Sequence, residues 1–421
     1  MIPVLRRRDF ALLWLGGLIS LLGDRAMLLA LNYHVYRATG STLATAAMFA
    51  AYYLPTMLFG SMAGVFADRW DRKRIMVITN LAQALVTSLL LLVRSPEWLW
   101  VAYAVLFAQT TLATCFEPAE SALLPSLVDE EDLVPANALN ALNNNIARLA
   151  GPPVGGVLLG MFGLGTVALL DAASFLVAAA LISLVSAPRR QAEETTDMGS
   201  IPGSALQRTW REWLEGMALV RRDRLIGTLF LVAVITSFGG CMFDPVFAPW
   251  VLSVLHQGPE VLGLLSTVGA IGGLTGGVLL GRFGRHVRPA QLFGWGSIGG
   301  GLILLLMYSL TSLPAVLALN FLKGVPLVGS GAGLQTLFQT GVPDRYRGRV
   351  YGALGTANAL IGLVSLGIAG YLAEVVGIVP VLSLAAGLTA LAGLLGLVML
   401  PDARVRTEPA EETGVTASTA Q

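Results

Sequence analysis

Apolar runs of about 20 residues or more recur along this chain, and no other feature limits its fold so tightly. Six occupy residues 10–36, 43–66, 75–94, 98–124, 138–162 and 165–187. A polar stretch at 188–223 interrupts them. Six more follow at 224–252, 260–281, 290–310, 313–341, 350–374 and 377–400. A helix needs about 20 mostly apolar residues to cross the hydrocarbon core of a bilayer. It must also satisfy its own backbone polar groups there, which a helix does within one segment. The expectation is an all-α membrane protein with twelve transmembrane helices, split six and six. Residues 1–187 form the first bundle, 188–223 a cytoplasmic linker, 224–400 the second bundle and 401–421 a disordered tail. No short apolar run with a small-residue cleavage site precedes the first span, so that span is expected to be retained.

Composition supports this and removes other classes. Hydrophobic residues make up 55% of the chain and charged residues 13%, with a mean hydropathy of +0.71. A soluble globule carries about 25% charged residues, so most of this surface must meet lipid. A soluble enzyme, a disordered chain and a nucleic-acid binder are excluded, the last also because the net charge is only +1. Cys115 and Cys241 sit in apolar runs as small core residues. His34, His256 and His286 stand at no metal-ligand spacing to one another, so neither metal nor cofactor is expected. No glycine-rich loop ends in Lys-Ser or Lys-Thr, which argues against an ATP-driven pump.

Basic residues orient the spans. With both termini cytoplasmic, 22 of the 27 fall in cytoplasmic segments, while Arg37 and Arg94 alone lie in outer loops. Trp210, Trp213, Leu214 and Met217 share one helical face in the linker. That pattern describes an amphipathic helix at the cytoplasmic interface of a cell membrane.

The halves repeat. GVFADRWDRKR (64–74) and GVLLGRFGRHV (277–287) each follow the second span of their half, 213 residues apart. Over essentially its whole length the chain resembles the major facilitator superfamily, whose fold sets two pseudo-symmetric six-helix bundles side by side. The first copy resembles the signature loop of that superfamily, with Asp71 where the pattern has glycine; the second has Gly281 in place of Asp68. RRRDFALLWLG, the Gly23-Asp24 pair, PSLVDEEDLVPANALN (125–140) and PDRYRGRVYG (343–352) resemble its twelve-helix macrolide and siderophore exporters. In the fifth span Gly151, Pro152, Gly155 and Gly156 match the core of the antiporter motif, although Ala138 and Ala147 replace two outer glycines. The fourth span, FAQTTLATCFEPAE, lacks the arginine often found in proton-coupled exporters.

The resemblance implies a secondary active exporter of an amphipathic small molecule (a drug, macrolide or siderophore). Such a transporter exchanges its substrate for protons by alternating access, as a monomer in the lipid bilayer. An uptake symporter or lysolipid flippase on the same fold, and a non-transporting sensor, are the alternatives. The resemblance gives Gly64, Asp68, Arg69 and Arg72 the role of a conformational latch, with Arg72 as the basic partner of Asp68. Gly151-Pro152-Pro153 would kink the fifth span, and Gly155 and Gly156 would let a partner helix approach closely.

Charges inside spans are costly and point to function. Asp24 lies about 20 Å into the first span and Arg148 about 15 Å into the fifth, which makes them candidate partners in an ion pair or proton switch. Asp171 and Asp244, nearer the outer ends, are further proton-coupling candidates, or else partly solvated carboxylates. Arg25, Tyr52, Tyr53, Phe107, Glu117 and Lys323 are candidate cavity residues, with Lys323 suited to an anionic substrate group. Tyr33, Tyr36, Trp98, Trp100 and Trp250 fit an interfacial aromatic belt.

Overall fold

The computed structural model describes residues 2–93, 95–186, 220–221, 223–284 and 287–400; for residues 61–69 and a few single positions only the backbone is described. The linker helix and the tail predicted from sequence lie outside these residues. Among them no strand occurs. After a single turn at Ile2–Leu5 the first half comprises α1 (Arg8–Thr39), α2 (Thr42–Arg69), α3 (Arg72–Ser88), α4 (Leu99–Leu123), α5 (Leu133–Phe162) and α6 (Leu164–Ser183). The second comprises α7 (Arg224–Ser253), α8 (Pro259–Phe283), α9 (Pro289–Tyr308), α10 (Leu313–Leu322), α11 (Gly324–Gly341), α12 (Asp344–Val375) and α13 (Ile378–Met399).

Among the described residues, eleven stretches are long and apolar enough to cross a membrane, α10 and α11 counting as one. The helix outside that set is α5, whose first half carries Asn137, Asn140, Asn143, Asn144 and Asn145, with Arg148 just beyond. It has 30 residues, enough to span at 1.5 Å per residue, and packs between α1 and α8. Its polar start explains why the apolar run at 138 understates it.

The tenth span breaks at Lys323, between α10 and α11. Pro326 has no N–H to offer the carbonyl of Leu322, so a continuous ladder cannot form there. Gly272 and Gly276 of α8 let the break sit close: a side chain on Gly324 would lie 2.2 Å from the backbone of Gly272.

Packing repeats between the halves. In the first, α1 packs on α5 and α6, α3 on α4 and α6, and α2 on α4. In the second, α7 packs on α12 and α13, α9 on α11 and α13, and α8 on α10 and α11. Gly163 (φ 79°) turns α5 into α6, and Gly377 (φ 94°) turns α12 into α13 at the equivalent place. Both need the left-handed conformation that glycine alone adopts without strain. Large apolar side chains such as Leu85, Met161 and Val278 face outward, as a lipid-facing surface requires.

The halves meet through α2 against α12 and α5 against α8, two pairs that exchange under the repeat. We call the end bearing Arg8 and the α2–α3 connection the basic end, and the opposite one the far end. Among the described residues, hydrogen bonds between the halves run from mid-membrane to the far end. The Thr45 hydroxyl donates to the carbonyl of Pro245 (2.6 Å) and that of Thr42 to Gly370 (2.7 Å). The hydroxyls of Tyr36 and Ser253 lie 2.7 Å apart. Glu374 of α12 accepts from the Ser41 hydroxyl and from the N–H of Leu43 (3.2 Å), capping the start of α2 from the other half. A carboxylate at a helix N-terminus is favoured by the helix dipole.

Candidate functional site

Two faces of α5 explain its glycines. A side chain on Gly151 would lie 2.5 Å from Cβ of Arg25, and one on Gly155 2.5 Å from the carbonyl oxygen of Ala26, both on α1 of the same half. Gly156 turns to the other half, 2.3 Å from the carbonyl oxygen of Pro259. Pro152 and Pro153 receive Gly263 of α8, and the Thr267 hydroxyl donates to Leu149 at 3.1 Å. The predicted kinked segment is thus a spine wedged between its own bundle and the opposite one.

Tyr52 marks the convergence of the cavity candidates: Arg25, Asp24, Glu117 and Asp244 all lie within electrostatic reach of it. Tyr53, beside it, donates to Asp244 across the halves at 3.0 Å, and the two tyrosine rings meet edge to face at 5.1 Å. Asp244 therefore has a definite partner, which span position alone did not reveal. Phe107 meets Phe59 edge to face at 6.3 Å. Glu117 is exposed, while Glu120, one turn on, accepts from Asn140 at 3.5 Å. Lys323 places its ammonium 5.4 Å from the centre of the Phe243 ring, a cation–π contact.

Three expectations are corrected. Asp24 and Arg148 form no ion pair; Arg148 is exposed, with no carboxylate partner among the described residues. Equal depth did not bring them together, because α5 turns its glycines, not its arginine, toward α1. Asp171 is not a solvated outer carboxylate but is 1% exposed. Trp250 is not a belt residue: it is fully buried, with its ring edge to face with Tyr308 at 5.3 Å. Trp98 and Trp100 are exposed and stack on each other, as a belt pair would.

Asp171 leads to a cluster that sequence reading missed. Its Oδ2 accepts from Gln109 of α4 at 3.4 Å, and Gln109 also reaches the Thr87 hydroxyl of α3 at 2.5 Å. Gln83 donates to the backbone carbonyl of Gln109 at 3.5 Å. Asp171 and Ser174 of α6 crowd against Gly23 of α1, where a β-carbon would lie 2.3 Å from Oδ1 and 2.7 Å from the serine oxygen. The available signal was amides inside apolar runs, each costly to bury without a partner.

The latch is described in part. Gly64, Asp68 and Arg69 fall where only the backbone is described. Arg72 donates to the carbonyl of Ala122, at the end of α4, at 2.6 Å. Asp71, where the pattern has glycine, caps α3 by accepting from the N–H of Arg74 at 2.9 Å. At the same end Arg7 pairs with Asp129 and with Asp132 (2.9 Å). The guanidinium holds the Asp129 carboxyl below its usual range, through the hydrogen bond first and its charge second.

Comparison with known proteins agrees with this fold. The family model described as transmembrane secretion effector matches residues 2–415. Macrolide efflux protein A of Streptococcus pyogenes is 26% identical over 88% of this chain and 90% of its own length. Multidrug efflux pump Tap of Mycolicibacterium fortuitum is 24% identical over 89% and 91%. Staphyloferrin A transporter of Staphylococcus aureus is 24% identical over 89% and 90%. Among solved structures, a bacterial homologue of the iron transporter ferroportin, in an inward-facing state, superposes with a TM-score of 0.72. It is 18% identical and covers 93% of this chain and 98% of its own. A bacterial homologue of the lysosomal transporter Spinster, also inward-facing, gives 0.64 at 16% identity, covering 93% and 95%. The chain belongs to the transmembrane secretion effector family of the major facilitator superfamily, and is a multi-pass membrane transporter rather than an enzyme.

Proposed function

We propose that this transporter exports amphipathic small molecules of the drug, macrolide or siderophore class, driven by inward proton movement. The observation that carries this is the arrangement of the halves: tied at the far end, with Asp24, Glu117 and Asp244 converging on Tyr52 between them. The excess of arginine at the basic end supports a cytoplasmic position for it. With the far end shut by these bonds, the loading side is assigned to the cytoplasm, where an exporter collects its load. Carboxylates beside tyrosine rings suit an amphiphile with a cationic group and an apolar body. The efflux activity named for the relatives supports the direction.

In the cycle, α5 and α12 pivot on α8 and α2. The far-end bonds break as the basic end closes, and Asp68 latches the outward-open state beside its basic partner Arg72. Gly151 and Gly155 hold α5 to α1 throughout, so the bundle moves as one body.

Purified protein in liposomes with an internal pH dye tests this. An imposed proton gradient and added erythromycin, ethidium or a siderophore should produce substrate-dependent proton flux. Absence of flux with all three, together with flipping of lysolipids, would replace the exporter by a flippase; proton movement in the same direction as the substrate would replace it by a symporter.

A further inference from the structure

We infer that Asp171 and Asp24 form a carboxyl pair sharing one transported proton, with Asp171 as the residue that holds it. The inference rests on the proton-coupled function proposed above and names the site within it. Asp171 is 1% exposed and its Oδ1 has no hydrogen-bond partner. Its Oδ2 receives a single long bond from Gln109. A carboxylate so poorly satisfied inside a membrane protein is stable only as the neutral acid or beside a cation.

Among the described residues no cation pairs with it. From α1 it meets Gly23, next in the chain to Asp24, whose charge acts on it, while the side chain of Arg25 starts toward Gly151 of α5. From α3 it faces Thr87 and Gln83, and from α4 Gln109, all uncharged; Arg148 of α5 is exposed. A second carboxylate acting on so poorly satisfied a carboxyl keeps both from ionising readily, so one proton stays with the pair.

The geometry also provides a seat for that proton. The Ser174 hydroxyl spends its hydrogen on the Asp171 carbonyl at 2.7 Å, which leaves its lone pairs to accept. Asp171 Oδ1 and this oxygen crowd the same point beside Gly23. Gly23 is therefore required, since any side chain there would fill the space between them. Asp24, half-buried and within reach of Tyr52, joins the pair to the charged groups around that tyrosine. When a cationic substrate or a change of access stabilises both carboxylates, the proton passes from Asp171 to the Asp24 carboxylate and is released from there to water.

Infrared difference spectra of the purified full-length protein without substrate, recorded across a pH jump, test the site. Wild type should show one band from a buried protonated carboxyl. Asp171→Asn should lose it, and Asp24→Asn should keep it at a shifted frequency. A band retained in Asp171→Asn, or lost in Asp24→Asn, overturns the assignment. Should Asp171→Asn not fold, Gln109→Leu serves instead: removing the amide donor should move the band, and an unmoved band overturns the assignment. In liposomes, ethidium accumulation driven by a proton gradient should fall at least about tenfold in Asp171→Asn relative to that variant's own ethidium exchange; equal losses would make the role structural. A wild type inert toward every substrate would defeat the proposed function while the infrared result still judged the site.

Discussion

Gly155 and Gly156 are neighbours in sequence, yet the same substitution should have opposite consequences. In Gly155→Ala the new β-carbon lies 2.5 Å from the carbonyl oxygen and 2.7 Å from Cα of Ala26. These are backbone atoms of the same bundle, so α1 and α5 must part in every state of the cycle. In Gly156→Ala it lies 2.3 Å from the carbonyl oxygen of Pro259, across the halves. There the strain exists only while the far end is shut. Overpacking of one methyl costs about 1–3 kcal/mol. For Gly155→Ala that is a loss of bundle stability, read as lower thermal stability in detergent. For Gly156→Ala it becomes a shift of roughly 5- to 150-fold toward the far-end-open state. Thr42→Cys, in a background with Cys115 and Cys241 replaced by serine, reports that shift. Thr42 is 3% exposed against Gly370, so a membrane-impermeant maleimide reaches it only when α2 and α12 separate. Gly156→Ala should label faster with unchanged thermal stability. Equal destabilisation by both substitutions, with no change in labelling, would refute the division of α5 into a bundle face and a gate face.

Other consequences are equally specific. Glu374→Ala removes a carboxylate from the start of α2, and at an exposed position should favour far-end opening by about 1 kcal/mol, seen as faster labelling of the same cysteine. Asp129, held below its ordinary range by Arg7, contributes stability at neutral pH that is lost as pH falls through its lowered pKa. Wild type should therefore be more heat-stable than Asp129→Asn at pH 7, and the difference should close in acid below the ordinary value of 3.8. Lys323→Gln should weaken transport of carboxylate-bearing substrates by about tenfold or more while sparing cationic dyes in the same liposome assay; equal loss of both would make the lysine a structural partner of Phe243.

The spans were legible because lipid imposes a length and a polarity that no tertiary arrangement can waive. The repeat was legible because its copies sit at matching points of the topology, and Gly163 and Gly377 extend it. Helix ends were less so. Starts such as Leu133 and Asp344 precede the apolar runs at 138 and 350, since a helix carries on into water after its sequence turns polar. What the amino-acid order left undetermined was the rotation of each helix about its axis. Depth follows from counting residues, so Asp24 and Arg148 looked like partners. Rotation follows from which small residues let which helices close. Gly151 and Gly155 pull α5 onto α1 and leave Arg148 outside, while Gly23 admits Asp171 and brings it beside Asp24. Only packed backbones decide those contacts, because each depends on a glycine in one helix meeting a side chain or backbone from another, far away in sequence.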